Sequence, residues 1–205
     1  DVCGNSENVK RGADNADRDG AVLFVGPLAP QKNPQLLLRA WKQVNARNRY
    51  RLLIVGSGPL EEALKRQCQQ DQLTGVEFLA PRPDLRELYQ SASVFVLPSL
   101  GEGCCNALLE AMAAGLCPVV SRIGGNVDVV RDRENGRSFE SDNMDSLTDV
   151  LTDVLENADE RRRLSQRARE HVEQSHGLDG VARRYLDVCG TIIETHSRKR
   201  AAQKR

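Results

Sequence analysis

Two carboxylates eight positions apart, Glu102 and Glu110, are the residues whose chemistry asks for an explanation. They lie in Pro98-Ser99-Leu100-Gly101-Glu102-Gly103-Cys104-Cys105-Asn106-Ala107-Leu108-Leu109-Glu110-Ala111-Met112-Ala113-Ala114-Gly115. The apolar run Val94-Phe95-Val96-Leu97 precedes this stretch, and Pro118-Val119-Val120 follows it. A strand, a glycine loop and a small-residue helix in that order leave helix N-terminal amides pointing at an anion. Two acids beside such a site suit a ligand that carries hydroxyls as well as phosphates, as a nucleotide-sugar does.

Each candidate has a plainer alternative. Glu110 is flanked by Leu108, Leu109, Ala111 and Met112, so the helix is expected to be apolar apart from this one acid. An ionised carboxylate there is costly unless it is partnered. It is either half of an ion pair with an arginine or an acceptor for sugar or ribose hydroxyls. Glu102, between two glycines, has less structural reason and reads as functional. Gly101 and Gly103 let the backbone approach a ligand closely, and the amides from Cys104 through Cys105 to Asn106 can face an anion. Lys32 is either a solvated lysine or a point charge on a diphosphate. Gly56-Ser57-Gly58 is a partial G-x-G without a third glycine, and a tight strand-to-helix turn explains it better than a dinucleotide fingerprint does.

Positioning these residues takes a regular alternation of elements. Ala21 to Val25 is a continuous apolar run ending at Gly26, as expected of a strand buried on both faces. Leu36, Leu37, Ala40, Trp41 and Val44 recur at helical spacing. Further strands are expected at 51–55, 76–79, 94–97 and 117–121. A helix is expected from Pro59 to about Gln70, with Glu61 and Glu62 in its first turn. Short helices are expected over 84–90 and 127–131, the acid-bearing helix after Gly103, a turn at Glu134-Asn135-Gly136, and helices over 144–195 with a stripe of Leu147, Val150, Leu151 and Val154. Strands alternating with helices predict an α/β fold, a doubly wound parallel sheet with C-terminal helices. Ligands bind beyond the carboxyl ends of such strands. The clusters Gly26 to Lys32, Gly56 to Pro59, Pro81 to Pro83, Ser99 to Asn106 and Ser121 to Gly125 all fall there.

The 205 residues divide into a polar lead-in (1–20), a folded domain (21–195) and a basic tail (196–205). A domain of this size buries roughly 70% of its unfolded surface and needs no disulfide or metal staple. The 29 basic residues balance 29 acidic ones, which argues against a nucleic-acid binder. Six cysteines without a C-x-x-C pair, and three histidines all near the C-terminus, predict no zinc site. Asp17-Arg18-Asp19 falls in the lead-in and is not read as a metal motif. Polar residues 1–20 and the lack of a long apolar run make cytoplasm the expected location, with peripheral attraction of the basic tail to an anionic membrane as a further option.

Together these residues resemble the nucleotide-sugar-binding C-terminal half of GT-B glycosyltransferases, most like glycosyltransferase family 4. The likeness runs from about Ala21 to Tyr185. Its most specific piece, Glu102 to Glu110, looks like the E-x7-E motif of retaining members. Phe24-Val25-Gly26, Ile54 to Pro59, Leu109 to Gly115 and Gly124-Gly125-Asn126 also read like that family, with Asp128 where a glutamate is more usual. The resemblance implies a Rossmann-like domain, one half of a GT-B fold, that transfers a hexosyl group from a nucleoside-diphosphate sugar with retention.

It implies that Glu102 contacts the donor sugar, Glu110 the ribose and Lys32 the diphosphate. Gly26, Ser99, Gly103, Cys104, Cys105 and Asn106 would complete the donor site, and Pro81-Arg82-Pro83 would border the base. It implies no cofactor and no required metal. Two departures accompany the likeness. Pro27 stands where the family usually has an arginine on the diphosphate, which could weaken donor binding by roughly ten- to a hundred-fold unless Arg82 or Arg122 compensates. The N-terminal half that binds acceptor is not in this sequence, so it is expected in a longer protein or in trans. Two other readings stay open: a non-catalytic interaction module that keeps the fold, and, from the partial G-x-G alone, a nicotinamide-dependent oxidoreductase.

Overall fold

The computed structural model describes residues 21–46, 49–103 and 105–175. The lead-in, Cys104, the basic tail and the helical stretch expected beyond 175 lie outside the described residues. Six parallel strands form one sheet: β1 (Ala21–Val25), β2 (Arg51–Val55), β3 (Val76–Leu79), β4 (Val94–Leu97), β5 (Cys117–Ser121) and β6 (Arg137–Phe139). Seven helices connect or cover them: α1 (Pro34–Val44), α2 (Glu61–Gln70), α3 (Arg86–Ser91), α4 (Asn106–Ala113), α5 (Gly124–Val127), α6 (Met144–Glu156) and α7 (Ala158–Ser175). No helix among the described residues is long and apolar enough to cross a membrane.

The strand order is β3-β2-β1-β4-β5-β6. This is the Rossmann arrangement, in which the winding direction reverses between β1 and β4 and opens a crevice at their carboxyl ends. The pairing Leu23↔Phe95 fixes the register across that line. Side chains alternate through the sheet because strand residues point to opposite faces in turn. Phe24, Ile54 and Val96 join Leu37, Trp41 and Leu151 on one face; Leu23, Val55 and Leu97 join Tyr89, Leu108 and Met112 on the other. The helices on each face are held by such stripes. Pro34 opens α1 at a position where no intrahelical N–H bond is lost, and the Asn143 side chain caps α6 by accepting from the Ser146 amide at 2.9 Å.

Four details differ from the sequence reading. Strand β6 was not expected, because Arg137 and Ser138 break the apolar pattern. Arg137 is nonetheless buried, its guanidinium satisfied by Asp132 and Asp153, while Asp132 also accepts from the Ser138 amide at 2.7 Å. The short helix after β5 occupies Gly124–Val127 rather than 127–131. The second glycine of its pair serves a close approach: a Cβ on Gly125 would lie 2.1 Å from the Gly103 carbonyl oxygen and 2.6 Å from that of Glu102, whereas one on Gly124 would meet nothing. Helix α2 begins at Glu61 rather than Pro59. Finally, α4 is amphipathic and not apolar throughout: Leu108, Ala111 and Met112 are buried, while Asn106, Glu110 and Ala113 are exposed. At 100° per residue those three share one side of the helix, so Glu110 carries no burial cost.

Candidate functional site

The loop after β1 and the loop after β4 face each other across the reversal point of the sheet. The first coils into a short 3₁₀ turn, Pro30–Lys32, whose last residue is Lys32. The second runs from Pro98 to the start of α4 and carries Ser99 and Glu102. Two hydrogen bonds tie the loops together: the Leu100 amide donates to the Gln31 carbonyl at 2.8 Å, and the Gln31 side-chain amide donates to the Gly101 carbonyl at 2.9 Å. Between them Lys32 Nζ donates to Glu102 Oε1 at 2.5 Å, and Ser99 Oγ donates to the same oxygen at 2.6 Å. The Lys32 and Glu102 side chains are only 16% and 8% exposed, so this is a largely desolvated pair.

A cavity of about 260 Å³ opens beside the pair, lined by Gly26, Pro27, Ser57, Arg82 and the apolar side chains of Val25, Val55, Pro81 and Leu85. Small-molecule pockets measure roughly 300–1,000 Å³, so this volume takes part of a ligand, such as a planar ring, and leaves the remainder to the crevice. Gly26 joins the two regions, because a Cβ there would sit 3.7 Å from Lys32 Cε. A close approach also shapes the cavity's far wall: a Cβ on Gly56, whose φ is +152°, would lie 2.0 Å from the Gly26 carbonyl oxygen.

Helix α4 starts at the edge of the crevice with Cys105 as its N-cap; its side chain makes no cap hydrogen bond, although the Ala107 and Leu108 amides lie against the Cys105 sulfur. The first amides of a helix and its dipole favour an anion. One turn further, exposed Glu110 accepts at Oε2 from the Tyr89 hydroxyl of α3 at 2.9 Å. Burial, and secondarily the Glu110 carboxylate, push the Tyr89 phenol far above its ordinary range, so it remains a donor at all physiological pH. Burial likewise raises the Cys105 thiol, which therefore is not an activated nucleophile. Cys105 is felt electrostatically by Tyr89 on one side and itself feels Lys32 and Glu102 on the other.

Lys32, Ser99, Glu102 and Cys105 are brought together, with Gly26 and Arg82 in the adjoining cavity wall. Gly103 and Asn106 are exposed at the crevice edge, Ser99 is fully buried, and Cys104 lies outside the described residues. Glu110 has a tyrosine rather than an arginine as its partner. The sequence reading missed Tyr89, Ser121 and Asn126. Tyr89 looks like core in a short helix 21 residues away from the acid it serves, and nothing local connects the two. Asn126 was visible only as the residue after the double glycine.

The sequence matches the family described as glycosyl transferases group 1 over residues 5–171. The chain belongs to that family. An uncharacterized glycosyltransferase of Methanocaldococcus jannaschii is 32% identical over 194 residues, covering 93% of this chain and 50% of its own length. The chain spans about half the length of the curated relatives it matches. Among solved structures, S. aureus TarM in complex with UDP superposes with a TM-score of 0.80 at 18% identity, over 88% of this chain and 37% of TarM. Anabaena HepE in complex with UDP and glucose gives 0.77 at 19% identity, over 85% of this chain and 49% of HepE. These neighbours share the fold of this chain, one Rossmann-like half of a GT-B architecture.

Proposed function

We propose that this domain binds the nucleoside-diphosphate hexose of a retaining glycosyltransferase of the family 4 type, with the acceptor bound by a part of the protein outside this chain. The observation that carries the reading is the Lys32–Glu102 pair at the sheet's reversal point, set between an apolar cavity and the N-terminus of α4. The base would enter the cavity, the ribose hydroxyls would donate to Glu110, and the sugar would lie against Glu102. The diphosphate would then sit between Lys32 and the α4 amides. Lys32 has three N–H donors, so two stay available when one is held by Glu102. Charge developing on the leaving diphosphate would meet preorganised positive ends in a water-poor crevice, the electrostatic strategy of an oxyanion hole. Arg82, in the wall beside Pro27, is the cation best placed to stand in for an arginine at position 27. In this reading metal is dispensable.

A thermal-shift panel of uridine, guanosine and adenosine diphosphates, with and without magnesium, tests the proposal. One of them at about 100 times its Kd should stabilise the fold by about 2.7 kcal/mol, roughly 5–10 °C for a domain of this size. Glu110→Ala should remove most of that shift, and magnesium should change it little. Indifference to all three diphosphates would favour the second reading, a non-catalytic module, which the exposed Pro27 in the cavity wall supports.

A further inference from the structure

Behind Glu102 stands a file of buried polar groups that direct contact with a ligand does not explain. Ser99, Ser121 and Asn126 each have 0% of their surface exposed, and they come from the β4 loop, the end of β5 and α5. The Asn126 side-chain amide donates to the Ser121 carbonyl at 3.0 Å and to Ser121 Oγ at 3.2 Å. Ser121 Oγ donates onward to the Ser99 carbonyl at 2.6 Å, and Ser99 Oγ donates to Glu102 Oε1 at 2.6 Å. The donors run in one direction, from Asn126 to the carboxylate. Next to Asn126, Gly125 abuts the Gly103 and Glu102 carbonyls, so the same short helix grips the loop from a second side.

Two features set this file apart from ordinary core polarity. Asn126 Oδ1 is buried without a hydrogen-bond partner, an expense that an apolar residue of similar size would avoid. What the side chain contributes is its Nδ2, which donates to both Ser121 oxygens. At the other end both donors, Lys32 and Ser99, fall on Glu102 Oε1, and no described residue donates to Oε2. Among the described residues, the carboxylate is therefore held through one oxygen, Oε1, and its Oε2 accepts from none.

We propose that Ser99, Ser121 and Asn126 are positioning residues that lock the Glu102 carboxylate with Oε2 presented to a hydroxyl of the donor's sugar. This assigns them a role in recognising the sugar and not the nucleotide. It also makes Ser99 a residue that acts through Glu102 without touching the ligand. The inference rests on the donor-binding reading above.

Calorimetry on the chain tests it, using the uridine, guanosine and adenosine diphosphates and their glucose, galactose and N-acetylglucosamine conjugates. For the pair that binds, Ser99→Ala should weaken the sugar conjugate about tenfold relative to the free diphosphate, whose Kd should stay within about threefold. Asn126→Ala, remote from any ligand, should move the same ratio about threefold. A general loosening of the crevice would weaken both ligands together. Parallel loss of both, or an unchanged ratio in a variant whose unfolding midpoint shows it to be folded, overturns the positioning role. Should Ser99→Ala fail to fold, Asn126→Ala decides by the same ratio. Failure of every diphosphate to bind the unaltered chain overturns the donor reading instead, and this inference with it.

Discussion

Lys32 is not a free charge waiting for phosphate: its side chain is 16% exposed and its ammonium already holds Glu102 at 2.5 Å. The pair, with Ser99 as a further donor, keeps a carboxylate in place on a loop that glycines would otherwise leave loose. Removing one partner of a desolvated pair strands the other, which costs about 3 kcal/mol. Lys32→Met should therefore destabilise the unliganded chain by about that amount in urea unfolding. The double variant Lys32→Met/Glu102→Gln should recover more than half, since glutamine still accepts from Ser99. Equal stability of Lys32→Met and the unaltered chain would show that the pair is solvated and contributes little. Glu102 and Lys32 were legible as residues from their place on loops at one sheet edge. Their contact was not legible, because 70 positions separate them and only the parallel winding brings them together.

At the scale of elements, α3 and α4 are joined through Tyr89 and Glu110. The Tyr89 phenol is raised above its unfolded value near 10, by burial first and by Glu110 second. A group whose folded pKa is raised contributes stability that is complete below its unfolded pKa and is lost as pH climbs above it. Unfolding measured between pH 7 and 11 should thus show a steeper decline above about pH 10 in the unaltered chain than in Tyr89→Phe. At pH 7 that variant should lose about 1 kcal/mol for the missing hydrogen bond. Coincident pH profiles would place the phenol in contact with water.

The elements show what pattern reading can and cannot reach. Four strands, β1, β2, β4 and β5, announce themselves as apolar runs, because both faces of a parallel sheet are buried, while the edge strand β3 carries an exposed Glu77. The sixth does not: β6 has Arg137 and Ser138 in buried positions, made tolerable by Asp132 and Asp153, and such polar satisfaction has no local signature. The small residues of α4 suggested burial all round. What the composition reflected was close packing on one side only, which left Glu110 exposed on the other.

For the whole molecule, the β1–β4 reversal gathers the glycine- and charge-bearing loops onto one edge, and the chain spans about half of its relatives' length. On the proposed reading this half holds the donor, and transfer needs an acceptor placed across the crevice from Glu102. Pro27 makes the molecule's charge distribution a real question, since the cavity wall then relies on Arg82 and the crevice on Lys32.

A crystal structure of the chain with the diphosphate or nucleotide-sugar that stabilises it most tests the central claim directly. The account predicts the base in the Pro27–Arg82 cavity, a phosphate oxygen within about 3 Å of Lys32 Nζ or an α4 amide, and a ribose hydroxyl on Glu110. A nucleotide bound away from the β1–β4 crevice, or one that leaves Lys32 and both acids untouched, would contradict it.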